Sequence, residues 1–165
     1  VGIVMAGALR AFGAESRTVW LADSFAGIPI DERDIVRNDP VTQWTERWEA
    51  TKEAVEDNLR RFALHSSSVR FVEGLFRHSL PGPIESIALL RIDADCYSST
   101  ADVLRGLYGK VSPGGYVVID DWHLPGCREA VLEFRAAHAI AAPILGVYRM
   151  DSSDHPEEVY WRKAP

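Results

Sequence analysis

Long apolar runs are the first thing this sequence lacks. Across 165 residues none approaches the roughly eighteen consecutive apolar positions that a membrane-spanning helix requires, so no membrane partner is expected. Cysteine is scarce, with only Cys96 and Cys127. Two such residues supply neither a disulfide framework nor a CxxC metal site, and a reducing cytoplasm fits them. Positive charge is in deficit. Eighteen Lys and Arg against 24 Asp and Glu leave a formal net charge of −6, whereas a nucleic-acid binder carries a basic footprint. Internal repeats and low-complexity tracts are also absent. The remaining composition, 47% apolar and 25% charged, suits a single compact domain, expected over residues 1–165.

What is present is organised around two stretches. Residues 89–95 (LLRIDAD) and 116–121 (YVVIDD) are apolar runs that end in acids. Short apolar runs that stop at charge read as parallel strands buried on both faces. In an open α/β sheet, ligands bind beyond the carboxyl ends of the strands, so Asp93, Asp95, Asp120 and Asp121 are expected on the functional rim. Four carboxylates there repel one another unless a cation or a proton is present. Hard oxygen donors suit Mg²⁺ or another hard divalent ion. The competing reading is that Asp93 and Asp120 merely end strands and cap helices.

Between the two strands, Ser98, Ser99 and Thr100 supply helix-start hydroxyls, and Leu104, Leu107, Tyr108 and Val111 recur at helical spacing. The sequence 112–115 (SPGG) is expected to stop that helix. The unit is therefore a right-handed βαβ crossover.

Elsewhere, Ile3, Met5, Leu9 and Phe12 predict an apolar helix face closed by Gly13. This helix starts at Val1 without an initiator Met, so preceding sequence is expected to be missing. Residues 17–23 predict a strand ending at Asp23, where an acid suits a ribose diol or caps a helix. Residues 31–40 are polar and turn-rich and predict an exposed loop or mobile lid. Trp44, Trp48, Val55, Leu59 and Phe62 predict one side of a helix, as core packing. Residues 69–72 form a short strand leading to Glu73-Gly74, and 76–83 a proline-broken connector in which His78 is a polar loop residue. Pro125 opens a helix that buries Cys127, Val131 and Phe134. His123 belongs on the rim, as a substrate or proton-shuttle residue or as a surface histidine. Residues 144–149 and 159–162 predict a closing antiparallel hairpin around 151–156. The whole is a doubly wound α/β layout.

With these pieces in place, the chain resembles the macrocin-O-methyltransferase family, which methylates sugar hydroxyls on antibiotics. The resemblance lies in VWLADSFAGIP (19–29), VRFVEGLFRHSLP (69–81), LLRIDADCYSST (89–100), LYGKVSPGGYVVIDDW (107–122), GCREAVLEFR (126–135) and YWRK (160–163). It implies a Rossmann-like class I methyltransferase sheet, S-adenosylmethionine as donor, Mg²⁺ at the acceptor hydroxyl, and a sugar or glycoside as substrate. Carried across, Asp93, Asp120 and Asp121 match metal ligands and Asp95 the general base. Asp23 matches the ribose acid, with Ser24, Glu73, Gly74, Leu75 and Phe76 near the adenosine. The resemblance also implies a central strand and glycine-rich loop before the first helix, absent here. The consequence expected is marginal stability, self-association as a homo-oligomer, or completion by other residues or a partner.

Three other readings compete. Haloacid-dehalogenase-like phosphatases share hhhDxD with a later acid pair, but there the motif opens the chain. Catechol-type O-methyltransferases share the metal logic and differ in acceptor. A truncated, inactive methyltransferase-like domain is the non-enzyme reading.

Overall fold

A computed structural model of the chain describes residues 1–14, 16–44, 48–148 and 156–165. In order, the elements are α1 (Gly2–Ala11), β1 (Val19–Asp23), α2 (Glu32–Val36), α3 (Lys52–Arg61), β2 (Val69–Glu73) and α4 (Phe76–Ser79). There follow β3 (Ile87–Ile92), α5 (Tyr97–Leu107), β4 (Val111–Ile119), α6 (Pro125–Ala137), β5 (Leu145–Val147) and β6 (Glu158–Arg162). The α/β expectation holds, and so does the antiparallel ending. β1 pairs parallel with β2, and β3 parallel with β4, while β6 runs antiparallel to both β4 and β5. The expected turn of that last hairpin lies largely outside the described residues.

β1 and β3 do not pair with each other. The strands form two sheets, β1-β2 and β3-β4-β6-β5. A cavity of about 1760 Å³ lies between them, walled by β1 and β3 and reached by Gly2 of α1 and Val103 of α5. The larger core lies on β3-β4-β6 and also takes in Val72 of β2. Leu90, Ile92, Val117, Ile119 and Trp161 pack with Leu104 of α5 and Val131 of α6. Ala6, Val19, Leu59 and Val69 form a smaller cluster at β1-β2. Burial of β3 and β4 on both faces is not what the structure shows. Their outer face leaves Leu89 47% and Tyr116 44% exposed, because side chains alternate and only one face meets α5 and α6.

Several local expectations need correction. The SPGG segment does not separate helix from strand, since α5 ends at Leu107 and Val111 already begins β4. The glycines form an irregularity inside β4, where pairing shifts between Ile87 and Leu89. A Cβ on Gly115 would stand 2.9 Å from the Ser112 carbonyl oxygen and 3.0 Å from that of Ala88. The tryptophan stripe also fails. Thr51 caps α3, accepting from the Ala54 N–H, so Trp44 and Trp48 precede the helix and only Val55 and Leu59 face the core. Trp48 and Phe62 are exposed, as is Phe12, which follows the last residue of α1. The 76–83 connector contains the short α4.

The largest correction concerns residues 31–40. They are no free lid. Asp34 and Asp39 are buried, and their carboxylates cap the start of α5. Asp34 accepts from the Ser98 backbone N–H at 2.8 Å and the Ser98 hydroxyl at 2.7 Å, and Asp39 from the Tyr97 N–H at 3.0 Å. Acids belong there, because a helix start presents unpaired N–H groups and positive charge. Arg33 adds a two-armed ion pair to Asp102 of α5, both contacts 2.7 Å. Arg37 stacks 3.6 Å over the Tyr97 ring. The strap thus anchors the crossover helix whose first turn follows the β3 acids. α6 adapts to it: a Cβ at Gly126 would lie 1.7 Å from Asp39 Oδ2.

Asp34→Ala is expected to leave two buried donors on Ser98 unpartnered and to cost about 2 kcal/mol. Gly126→Ala is expected to destabilise by displacing Asp39. Thermal denaturation of both variants checks this; wild-type midpoints would remove the strap's structural role.

Candidate active site

The strand ends place the acids. Asp23 closes β1, Glu73 closes β2, Asp93 and Asp95 follow β3, and Asp120 and Asp121 follow β4. β6 runs the other way, so its first residue, Glu158, joins the same rim; Val159 pairs with Ile119, which puts Glu158 beside Asp120.

Asp121 is the anchor. It is 7% exposed, and its Oδ2 accepts the backbone N–H groups of Ala94 and Asp95, each at 3.0 Å. This ties the end of β4 to the turn after β3. Asp95 takes a left-handed backbone, φ +57, which is uncommon for a residue with a Cβ. One carboxylate oxygen from each of Asp93, Asp95 and Asp121 lies within 4.8 Å of the other two. Asp120 is not part of that trio. It pairs with Arg91 and lies beside Glu158 across the β4-β6 register. Arg91 also reaches Asp93, Nη1 to Oδ2 at 2.5 Å.

Electrostatics follow from this crowding. Burial, then the negative charges of Asp121, Asp93, Asp120 and Asp23, push the Asp95 carboxyl up to about 7. Burial also raises Asp121. Burial and the neighbouring Asp120 raise Glu158.

The expected cofactor residues are spread along the other strand ends. Asp23 accepts the Phe25 N–H at 2.8 Å, and the Ser24 hydroxyl donates to the Gly27 carbonyl at 2.9 Å, which shapes the turn after β1. The Gly74 N–H donates to the Asp23 carbonyl at 2.9 Å, joining the β1 and β2 ends. Gly74 has φ +126, a conformation side chains rarely adopt. Glu73 is exposed and pairs with Lys52 at 3.2 Å. Asp23, Ser24, Gly74, Phe76, Asp93, Asp95, Asp121 and His123 line the cavity, whereas Glu73 and Asp120 do not. Arg91 and Glu158 escaped the sequence reading. Arg91 carried a signal, since it sits two residues before Asp93 and so shares its side of the strand. Glu158 carried none, because only the antiparallel register brings it near.

Residues 1–163 match the family described as macrocin-O-methyltransferase (TylF). The chain belongs to the macrocin-O-methyltransferase family. It is 38% identical over 164 residues to the mycinamicin III 3''-O-methyltransferase of Micromonospora griseorubida, covering 96% of this chain and 62% of that protein. It is 41% identical over 166 residues to the demethyldecarbamoylnovobiocin O-methyltransferase of Streptomyces niveus, covering 98% of this chain and 61% of that one. The solved structure of the O-methyltransferase NovP superposes with a TM-score of 0.89 at 40% identity, over 99% of this chain and 67% of the other. The chain therefore spans less than two thirds of the length of these curated relatives. Among the described residues of this family member, no helix is long and apolar enough to cross a membrane.

A raised carboxyl has a definite sign in stability. Asp95 binds its proton more tightly when folded, with a value of about 7 against an ordinary 3.8. Its contribution is full below about pH 4 and is lost as pH rises through about 7. In chelator, the melting temperature is expected to fall between about pH 5 and pH 8, and to fall less in Asp95→Asn. Equal slopes in the two proteins would contradict the assignment.

Proposed function

We propose that this chain carries the catalytic rim of an S-adenosylmethionine- and Mg²⁺-dependent O-methyltransferase acting on a hydroxyl of a sugar or glycosylated natural product. The observation that carries the reading is the convergence of Asp93, Asp95 and Asp121 just beyond the carboxyl ends of β3 and β4. Family membership supports the reaction class. A further relative, 39% identical over 146 residues, is named for a rhamnosyl-tetracenomycin and supports a glycosylated acceptor.

The donor set fits a hard divalent ion, because clustered carboxylates that raise one another's proton affinity are short of positive charge. By the family resemblance Asp93, Asp120 and Asp121 would hold it; in the structure Asp93 and Asp121 stand together with Asp95, and Asp120 adjoins Asp93 through their shared partner Arg91. When bound, such an ion lowers the pKa of a coordinated hydroxyl and fixes its orientation. Asp121 is already positioned by two backbone N–H groups and needs no rearrangement. Asp95 is the proton acceptor: its carboxylate stands with those of Asp93 and Asp121 and lines the cavity, where it can take the proton of an acceptor hydroxyl. S-adenosylmethionine supplies the methyl group. Asp23 would accept from its ribose diol, and Ser24, Glu73, Gly74 and Phe76 would border the adenosine. In-line methyl transfer depends on holding acceptor oxygen and methyl carbon at about 3 Å, so the rigid Asp121 tie contributes through positioning.

The test is methyl transfer from labelled S-adenosylmethionine to a panel of glycosides and catechols, with and without chelator. Asp95→Asn is expected to lower turnover by roughly 10²–10⁴ while cofactor affinity stays. Near-normal turnover in Asp95→Asn would exclude the base role. Activity indifferent to chelator would exclude the metal, and transfer to catechols alone would move the acceptor class.

A further inference from the structure

Arg91 has no part in the chemistry described so far, yet it sits in the middle of it. Its side chain is 18% exposed, so it is not a free surface arginine. One arm, Nη1, meets Asp93 Oδ2 at 2.5 Å, and the other, Nη2, meets Asp120 Oδ1. The ion pairs of Asp93 and Asp120 among the described residues are both with this one guanidinium. Asp121 is held differently, by the N–H groups of Ala94 and Asp95. The three proposed cation ligands thus fall into two kinds. Asp121 is fixed by backbone whether or not a cation is present. Asp93 and Asp120 are fixed by a positive side chain that occupies their oxygens.

We propose that Arg91 is a built-in counter-ion that competes with the divalent cation for Asp93 and Asp120. This rests on the reading of those two acids, with Asp121, as the cation ligands. Without the cation, the guanidinium bridges the ends of β3 and β4 and keeps two mutually repelling carboxylates in register. A planar, two-armed cation suits that bridge better than a point charge does. When a divalent ion enters, the same oxygens turn to it, and Arg91 swings away from at least one acid. The cost of that exchange lowers cation affinity and holds the rim closed to weakly bound ions. Arg91 is therefore a positioning residue, acting through Asp93 and Asp120.

Competition and a simple scaffold have opposite signs. If Arg91 only held the acids in place, its loss would weaken cation binding. If it competes, its loss strengthens binding, because the repulsion between a unit charge and a divalent ion a few ångströms away in a wet rim is worth roughly tenfold in affinity. Arg91→Lys keeps the charge on a flexible stem and is expected to bind within about threefold of wild type, which separates charge from shape.

The experiment is calorimetric titration of Mg²⁺ into wild type, Arg91→Gln, Arg91→Lys and Asp121→Asn. Arg91→Gln is expected to bind about tenfold tighter than wild type, and Asp121→Asn to lose binding. Equal or weaker binding by Arg91→Gln overturns the competition, while loss of binding in Asp121→Asn leaves the metal reading standing. Absence of binding in both wild type and Arg91→Gln overturns both. A second measurement uses wild type alone and so does not depend on the variant folding. The Arg91 guanidinium Nη–H resonances, held by Asp93 and Asp120 in chelator, are expected to shift and lose protection on Mg²⁺ addition. A resonance that stays unchanged while Mg²⁺ binds overturns the proposal.

Discussion

The Asp121 carboxylate, holding the backbone N–H groups of Ala94 and Asp95, is the contact on which the site depends. A buried carboxylate needs donors, and these two amides supply them. In return the turn after β3 is pulled against the end of β4, and Asp95 is held in a left-handed conformation. That one tie sets three carboxylates within ligand distance of one another. The result is an imbalance of charge, three acids gathered with Arg91 paired to one of them.

Acids elsewhere in the chain show what a balanced arrangement looks like. Asp34 and Asp39 are more deeply buried than Asp95, yet each accepts from donors at the start of α5. They stabilise a helix. Burial first, and then the charges of Asp121, Asp93, Asp120 and Asp23, raise the proton affinity of Asp95. Residue type is the same in both places. What differs is whether the neighbours donate or repel, which separates a structural carboxylate from one able to exchange a proton near neutral pH. The two are coupled through α5, since the strap fixes the helix that begins directly after the β3 acids.

Much of this was legible in the sequence because strands that end in acids leave a local mark. LLRIDAD and YVVIDD placed both halves of the rim, and the hydroxyl-rich start at Ser98 placed the crossover helix. The closing hairpin was legible from its alternation. The failures share a cause, which is that partners distant in sequence are invisible to a local pattern. The 31–40 stretch reads as solvent-facing because it is polar, but its acids meet amides some 60 residues away. The SPGG segment reads as a stop because Pro and Gly break regular elements, while pairing with β3 absorbs it as an irregularity. The tryptophan stripe had helical spacing but lay outside the Thr51 cap. Two separate sheets with a cavity between β1 and β3 were not readable from any strand alone.

On the proposed reading, these acids are assembled to hold a hard divalent cation at the strand ends. Anomalous diffraction from a crystal soaked in Mn²⁺ tests it most directly, since Mn²⁺ takes the same oxygen donors as Mg²⁺ and its position is visible. One strong peak is expected within coordination distance of Asp121 and Asp93 carboxylate oxygens. A peak elsewhere on the chain, or an empty rim at saturating Mn²⁺, would contradict it.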